Sequence, residues 1–547
     1  MSETTGLTIR VEPAAHPLVT RAAAILRERL AERGALTPTP AAAGPEIVLA
    51  LAPDLPAEGY RLEPAARGVR IAGGTPRGVL YGVGQFLRTS RYDGGFQPSA
   101  WRGVSVPHCP VRGMYFATHF HNWYHVASPA ETVRYLEDLA LWGANAIMVI
   151  FPMINLRGWD DPQAEPALAM VRQYARAVKD LGLLFVTAVN NTMFSGAPAA
   201  IRATPLTDPL HRRGNSGHPV CPSRPDGHAY LMANARELFA RLADVGVDLL
   251  CHWPYDEGGC ACPQCAPWGC NGYYKLSREF SQVAREYFPH LQTILSTWTF
   301  DTPPEGEWQG LADNLARGND WLDYLLADAH EDFPRYPLDV GRPGGLPLLN
   351  FPEISMWGNW PWGGVGAHPL PARCQRLWDQ VRHLAQGGFP YSEGIYEDLN
   401  KAVVLQFYWD RARAATATLA AYSNYEFGAA TTPDVLTLIA GLEDAASRAC
   451  RREPVAAADA VRRAELADDV HRRLPAWAQR NWRWELLLLR ARLDRERFAR
   501  GGLTTPAADA ALERLMDLYH CQRVTDDPYH HRVRPRARSA VSRGGQC

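Results

Sequence analysis

The chain has 547 residues, of which 46% are hydrophobic and 21% are charged, and its formal net charge at pH 7 is −1. This composition is typical of a globular protein, and a net charge near zero provides no general attraction to nucleic acid or to a membrane surface. No run of about 20 apolar residues is present, so no transmembrane helix is expected. The start of the chain lacks a secretory signal pattern, and five of the 11 cysteines are crowded between Cys251 and Cys270, unlike an evenly spread disulfide framework. These features predict a cytoplasmic protein.

Residues 1–108 are predicted to form a small α/β domain. A strand at 7–12 is followed by apolar residues at helical spacing over 18–30 and by a second strand at 47–52. Two short strands around a turn then lead into a helix that begins near Thr75 and Pro76.

The end of this domain carries a motif, G-x-T-P-R-G-x-L-Y-G-x-x-x-F-L, which runs from Gly73 to Leu87. It resembles the non-catalytic domain that precedes the barrel in family 20 β-hexosaminidases, in family 84 hexosaminidases and in family 67 α-glucuronidases. The resemblance implies that the domain packs on a barrel and holds no catalytic residue. Arg77 and Tyr81 are therefore expected to be structural.

Residues 109–400 alternate between short apolar strands and amphipathic helices, which favours a catalytic (β/α)8 TIM-type barrel. The first intervening helix opens with a capping box, Ser128 to Glu131, with Pro129 at its first position. The segment 402–409 is either the eighth strand or a buried helix, because periodicity alone does not distinguish the two. Seven strands are predicted, at 111–118, 146–153, 183–190, 247–253, 292–300, 346–354 and 388–395.

Residues 401–530 are predicted to form a C-terminal α-helical domain, with a stop at Gly428 and a long amphipathic helix over 475–498. The pattern Y-W-D…Y-x-x-Y-E-F-G, from Tyr408 to Gly428, is similar to the helical domain that follows the barrel in family 67 α-glucuronidases and related enzymes. Its expected role is a cap or the interface of a homodimer. Residues 531–547 are basic and glycine-rich, and we expect a disordered tail that does not bind nucleic acid.

Barrel enzymes carry their chemistry at the C-terminal ends of the strands. Indole rings stack on sugars, and carboxylates and amides form hydrogen bonds with sugar hydroxyls, so the residues found there predict a carbohydrate pocket. For the histidines, sugar contacts or packing are favoured over metal ligation. The candidate substrate-binding residues are His119, His121, Trp123, Asn190, Tyr255, Trp298 and Trp357.

The adjacent acids Asp256 and Glu257 follow the fourth predicted strand. They resemble the catalytic pair of family 20 hexosaminidases and of family 123 enzymes. The resemblance implies that Glu257 is the general acid/base and that Asp256 orients the acetamido group of the substrate. That group attacks the anomeric carbon in place of an enzyme nucleophile. The predicted function is therefore an exo-acting β-N-acetylhexosaminidase-like glycosidase that acts on a small oligosaccharide or glycoside and needs no cofactor for catalysis.

Two alternatives stay open. In an α-glucuronidase-like or other exo-glycosidase with two separate carboxylates, Glu257 is again the acid, and Glu353 or Glu393 activates a water molecule. For Glu353 and Glu393 the competing interpretation is a salt bridge at the barrel rim. The alternative of another class is a catalytically inactive carbohydrate-binding barrel.

Four cysteines, Cys260, Cys262, Cys265 and Cys270, follow the acid pair in the pattern C-x-C-x2-C-x4-C. Four thiolates at such short spacing can hold a structural zinc ion that stiffens the loop behind the acids. One local disulfide or plain thiols are the alternatives. A catalytic zinc is less favoured, because sites made only of thiolates are usually closed.

Overall fold

The computed structural model describes residues 6–13, 16–35, 45–119, 122–206, 218–255, 259–301, 305–329, 332–355, 366–500, 502 and 505–520. Three parts follow one another along the chain: a small sheet with two helices, a closed parallel barrel, and a group of helices. Among these residues, no helix has the length and apolar character required to cross a membrane.

The N-terminal part is a five-stranded mixed sheet in the order β1-β2-β4-β3-β5; four of its strands were predicted, and β5 was not. Thr75 is the N-cap of its second helix, and Pro76 lies in the first turn. The hydroxyl of the buried Tyr81 donates to the backbone carbonyl of Ala144 over 3.1 Å, which fastens this part to the barrel. The elements are β1 (Thr8–Val11), α1 (Pro17–Glu32), β2 (Glu46–Leu51), β3 (Tyr60–Ala65), β4 (Gly68–Gly73), α2 (Pro76–Thr89) and β5 (Gly103–Ser105).

The barrel is closed by pairing of its eighth strand with its first, which confirms the predicted (β/α)8 fold. The eighth strand consists of two short pieces, β15 and β16, and both pair with β6. A separate antiparallel pair, β9 and β10, extends from the end of the third strand. In chain order the strands are β6 (Val111–Phe116), β7 (Ala146–Val149), β8 (Leu184–Val189), β9 (Thr192–Met193), β10 (His218–Pro219), β11 (Leu249–His252), β12 (Gln292–Ser296), β13 (Tyr324–Ala329), β14 (Leu348–Pro352), β15 (Ala385–Gly388) and β16 (Tyr391–Ser392).

The strand count from the sequence was one short, because β13 was missed. This strand lies between β12 and β14 and pairs with both, so it is the sixth strand of the barrel. The strands predicted as sixth and seventh are therefore the seventh and eighth. The segment 402–409, which was left open, is helical and belongs to the helix Asp398–Trp409. The predicted boundary between barrel and helical domain lies inside this helix.

The helices of the barrel part alternate with its strands along the chain, as predicted. The predicted capping box is present: the Ser128 hydroxyl accepts from the Glu131 backbone N–H over 3.3 Å, and the Glu131 carboxylate accepts from the Ser128 N–H over 2.8 Å. A π-helical turn at Trp268–Tyr273 precedes the fourth long helix. The helices are α3 (Trp123–Val126), α4 (Pro129–Leu141), α5 (Ala164–Asp180), α6 (Pro225–Leu242), α7 (Tyr274–Tyr287), α8 (Glu307–Ala316), α9 (Arg335–Asp339), α10 (Pro371–Val381) and α11 (Asp398–Trp409).

The C-terminal part is helical, as predicted. Gly428 ends its first helix with a φ of 101°, a conformation that favours glycine. Trp484 is buried in the long helix, and Trp477 lies in a short preceding helix. The predicted tail lies outside the described residues. The helices are α12 (Ala415–Phe427), α13 (Thr432–Cys450), α14 (Ala457–Arg473), α15 (Ala476–Gln479), α16 (Trp482–Ala499) and α17 (Pro506–Leu518).

Buried ion pairs join the three parts. Arg483 of α16 lies 2.7 Å from Asp398 of α11 and 3.0 Å from Asp138 of α4. Arg29 of α1 lies 3.1 Å from the same Asp138 and 2.7 Å from Glu137. Removing one partner of a buried pair leaves an uncompensated charge, which costs about 3–5 kcal/mol. These contacts therefore hold the flanking parts in a defined position against the barrel.

Candidate active site

Aromatic rings from five different strands or strand ends meet at the C-terminal mouth of the barrel. The Trp253 ring centroid lies 5.0 Å from that of Phe351 and 5.9 Å from that of Trp298. The Tyr115 ring stacks with the Trp253 ring, with a centroid distance of 6.2 Å and an interplanar angle of 21°. Its centroid lies 5.4 Å from that of the Tyr391 ring. We call these five residues the aromatic floor. The sequence predicted Trp298 as a substrate contact, and the other four rings were not among its candidates.

Two of the predicted carboxylates lie beside the aromatic floor on neighbouring strands. Glu353 follows β14 and forms a parallel bridge with Tyr391, and Glu393 follows β16. The Tyr391 hydroxyl donates to the Glu393 carboxylate over 2.8 Å. Glu353 and Glu393 are only 5% and 4% exposed. The structure therefore brings both acids to the barrel mouth, in a setting from which bulk water is largely excluded.

A buried carboxylate that the sequence did not single out as catalytic holds Glu393 in place. Glu397 is 2% exposed, and one of its oxygens accepts from the Ser392 hydroxyl at 2.6 Å, from the Glu393 N–H at 3.0 Å and from the Gly394 N–H at 2.9 Å. The ammonium group of Lys401 lies 3.6 Å from the same oxygen. We call this arrangement the Glu397 clamp.

Lys401 is buried among polar groups of the barrel wall. Its ammonium group donates to the hydroxyls of Tyr135, at 2.6 Å, and Tyr124, at 3.0 Å, and to the Gly394 carbonyl. Burial lowers the pKa of Lys401 to about 8, and the nearby Glu397 carboxylate opposes that shift. Lysine is rare in this chain, and that rarity is the only sequence signal that could have directed attention to Lys401.

The C-terminal segment also reaches the site. The Tyr519 hydroxyl, directly after α17, donates to the Glu393 carbonyl over 2.5 Å. The ring of Tyr519 packs against Tyr396 with a centroid distance of 4.7 Å. The helical part therefore contributes to positioning Glu393.

The predicted residues after the first and third strands have different surroundings. His119 lies beside the aromatic floor, and its Nδ1 is 2.8 Å from the Tyr115 hydroxyl. Asn190 accepts from the Thr192 N–H over 2.9 Å. Trp123 is buried, with its ring centroid 5.2 Å from that of Tyr135, and its role in substrate binding stays a prediction. His121 and Trp357 lie outside the described residues.

Asp256 and Glu257 also lie outside the described residues, but the residues before them are firmly held. The Trp268 indole N–H donates to the Pro254 carbonyl over 2.5 Å. Tyr255 is 1% exposed, and its hydroxyl donates to the Glu307 carboxylate. The Glu307 carboxylate also accepts from the Gly269 N–H over 3.0 Å. The Tyr255 hydroxyl therefore anchors the loop, and the role of Tyr255 in substrate binding stays a prediction.

The backbone after β12 has an unusual conformation next to the aromatic floor. Thr299 follows Trp298 and has a φ of 61°, in the left-handed region. This conformation is an outlier for a β-branched residue, and such strain tends to concentrate at functional sites. A buried hydrogen bond of 3.2 Å from the Trp298 N–H to the Ser296 hydroxyl fixes the start of the turn.

The cluster of four cysteines in the structure differs from the predicted one in a single residue. The sulfur atoms of Cys221, Cys260, Cys262 and Cys265 all lie within 4.8 Å of one another. Cys270 is carried away from them by the π-helical turn, and its carbonyl accepts from the Asn314 side chain of α8 over 2.5 Å. The fourth thiol is Cys221, which comes from the loop between β10 and α6. None of the cysteines in the described ranges is in a disulfide.

The comparisons with known proteins agree with this architecture. The sequence model of glycosyl hydrolase family 20, domain 2, matches residues 2–107. No curated protein sequence matches the chain significantly. A family 115 4-O-methyl-α-glucuronidase with specificity for decorated arabinogalactans has a similar structure, with a TM-score of 0.65 and 11% identity over 99% of this chain and 80% of that chain.

Two further solved structures cover much of the chain. A family 89 enzyme from Clostridium perfringens, in complex with its substrate GlcNAc-α-1,4-galactose, has a TM-score of 0.59 and 11% identity over 95% of this chain and 68% of that chain. The family 20 β-N-acetylhexosaminidase from Streptomyces coelicolor A3(2) has a TM-score of 0.51 and 16% identity over 77% of this chain and 91% of that chain. These matches confirm the predicted resemblance to family 20 and to other glycosidases of the same fold.

Proposed function

We propose that this chain is an exo-acting glycoside hydrolase whose substrate pocket lies at the C-terminal mouth of the barrel. The observation that carries the proposal is the aromatic floor with Glu353 and Glu393 on the adjoining strands. Aromatic faces bind the apolar faces of a sugar ring, and carboxylates in a dry site provide the acid and base of glycoside cleavage. The N-terminal match to family 20 and the shared barrel fold support the same conclusion.

The first form of the proposal is an N-acetylhexosaminidase-like mechanism. Glu257 protonates the glycosidic oxygen as the bond to the leaving group breaks. Asp256 orients the substrate's acetamido group, whose oxygen attacks the anomeric carbon. The adjacency of the two acids and the family 20 match of the N-terminal domain support this form.

A second form is favoured by the surroundings of Glu393. Two contacts at its backbone, with the Glu397 carboxylate and the Tyr519 hydroxyl, and one at its carboxylate, with the Tyr391 hydroxyl, fix this residue. A carboxylate held so firmly beside the pocket suits a base that activates water, with Glu257 as the acid on the other side of the bond. Glu353 is the other candidate for that base.

A panel of aryl glycosides, with and without a 2-acetamido group, separates these forms. If the acetamido group takes part, turnover is confined to N-acetylhexosaminides, and Asp256→Asn loses at least about 100-fold in kcat while Glu393→Gln loses much less. If a separate base takes part, uronides or plain hexosides are cleaved, and Glu393→Gln or Glu353→Gln has the large effect. Sugar binding without turnover of any glycoside would contradict both forms and favour an inactive binding barrel.

A further inference from the structure

The four clustered thiols come from two loops that are distant in sequence. Cys221 lies between β10 and α6, and the other three follow β11. Three of the four are buried, and Cys262 is partly exposed. The Sγ atoms of Cys221 and Cys262 are 3.8 Å apart. Four thiols that converge in this way, three of them removed from water, are a donor set for a soft metal ion.

The spacing fits tetrahedral zinc. A Zn–S bond of about 2.3 Å in tetrahedral geometry places the sulfur atoms about 3.8 Å apart. The Cys221–Cys262 separation has this value, and the remaining pairs lie within 4.8 Å. A disulfide requires two sulfur atoms to lie about 2 Å apart. Two disulfides could use the same four thiols, but they would not require a tetrahedral arrangement of the sulfur atoms.

The surroundings supply hydrogen bonds that suit thiolates. The Ser223 hydroxyl lies 3.0 Å from the Cys221 sulfur and 3.2 Å from the Cys262 sulfur, so it can donate to either. Such outer contacts orient metal ligands and stabilise their negative charge.

We propose that Cys221, Cys260, Cys262 and Cys265 bind one structural zinc ion. All four ligand positions are occupied by thiolates, so the site offers no open position for substrate or water and takes no direct part in catalysis. Binding converts up to four thiols to thiolates and releases their protons to solvent.

The proposed ion ties the loop after β11 to the segment that ends at Cys221. The Ala261 N–H donates to the Thr204 carbonyl over 3.0 Å, and the Cys221 N–H donates to the Ile201 carbonyl over 2.9 Å. Backbone hydrogen bonds to residues 201–204 therefore already connect the two loops. Cys260 follows Glu257 by only three positions. The ion therefore fixes the chain after the acid pair, while Glu307 and Trp268 fix the chain before it. Only this consequence depends on the proposed function.

The test uses the full chain, purified without added metal and again with zinc present. Elemental analysis is expected to give about one zinc per chain, and zinc-edge X-ray absorption is expected to give four sulfur neighbours at about 2.3 Å. Cys221→Ser is expected to lose more than half of its zinc on dialysis against a chelator. The matched control is Cys270→Ser, since Cys270 belongs to the sequence motif but lies outside the cluster, and it is expected to retain its zinc.

Several results would overturn the assignment. They are a zinc content below a tenth of an equivalent in both preparations, iron in place of zinc, a disulfide between any of the four residues in mass spectrometry, or zinc loss from Cys270→Ser with retention in Cys221→Ser. If Cys221→Ser does not fold, the sulfur count of the wild-type protein still decides the question. None of these readouts depends on glycosidase activity, so failure of the proposed function would leave the metal result intact.

Discussion

The Glu397 clamp is expected to control both stability and the position of Glu393, and Glu397→Gln tests it. The substitution keeps the shape of the side chain and an oxygen acceptor but removes the charge. Three hydrogen bonds to a carboxylate oxygen, at 2.6, 2.9 and 3.0 Å, become bonds to a neutral amide. A bond to a charged group contributes about 1 kcal/mol more than a neutral one, so we expect a loss of about 3 kcal/mol.

The charge of Lys401 adds to this effect. Its counter-ion at 3.6 Å disappears, and the pKa of Lys401, already about 8, is expected to fall further because burial then acts unopposed by the Glu397 carboxylate. Urea unfolding followed by circular dichroism measures the loss of stability. In the second form of the proposed mechanism, where Glu393 is the base, we expect kcat/KM of the folded variant to fall by about 10- to 100-fold, because small displacements of a catalytic group have effects of this size.

Glu443→Gln is the matched control. Glu443 is also buried, and its carboxylate accepts from the backbone N–H groups of Ala372 and Arg373 at 3.0 and 2.9 Å, at the start of α10. The control is expected to lose about 2 kcal/mol of stability and to keep its kcat/KM. The reasoning would be refuted if Glu397→Gln unfolded within about 0.5 kcal/mol of the wild type, or if both variants lost the same activity.

Three further predictions concern the same region. Burial lowers the pKa of His252 to about 3 from 6.5, so below pH 6.5 the unfolded chain binds more protons than the folded chain and stability is lost as the pH falls. Relative to His252→Gln, the free energy of unfolding of the wild type in urea should fall by about 2 kcal/mol between pH 6.5 and 5. The same pH dependence of the free energy of unfolding in both proteins would contradict this. Trp298→Phe should raise KM about three- to tenfold with little change in Tm, because it replaces an indole of the aromatic floor with a smaller ring. An unchanged KM would mean that Trp298 does not contact the substrate. Tyr391→Phe removes the 2.8 Å donor to Glu393, so kcat/KM should fall about tenfold if Glu393 is the base of the second form; an unchanged kcat/KM would mean that this hydrogen bond does not position a catalytic group.

Most of the fold could be predicted from the sequence, because local patterns dictate it. The apolar runs, the Ser128 capping box and the stop at Gly428 each act within a few residues, and all are present in the structure. The strand β13 was missed because Asp328 interrupts a short run. The helix Asp398–Trp409 could not be distinguished from a strand because all of its residues are buried, which removes the amphipathic pattern that identifies a surface helix.

The site was predicted less completely, for a reason that is also physical. Strand-end acids can be identified one strand at a time, and Glu353 and Glu393 were found in that way. Cys221 lies near cysteines about 40 positions further along the chain, and Lys401 contacts the distant Tyr124 and Tyr135 as well as the nearby Glu397 and Gly394; nothing near them in sequence indicates the distant contacts. Cys270 was chosen over Cys221 because spacing along the chain was the only available guide. The cytoplasmic location and the homodimer through the helical part stay predictions.

The most direct test of the proposed function is hydrolysis of N-acetylhexosaminides, uronides and plain hexosides by the wild type and by Glu257→Gln. The account predicts turnover of at least one class by the wild type. In Glu257→Gln it predicts a loss of at least about 100-fold on substrates with poor leaving groups, with circular dichroism and Tm that match the wild type. Equal rates for the two folded proteins would contradict the assignment of Glu257 as the acid, and with it the central claim about how this barrel works.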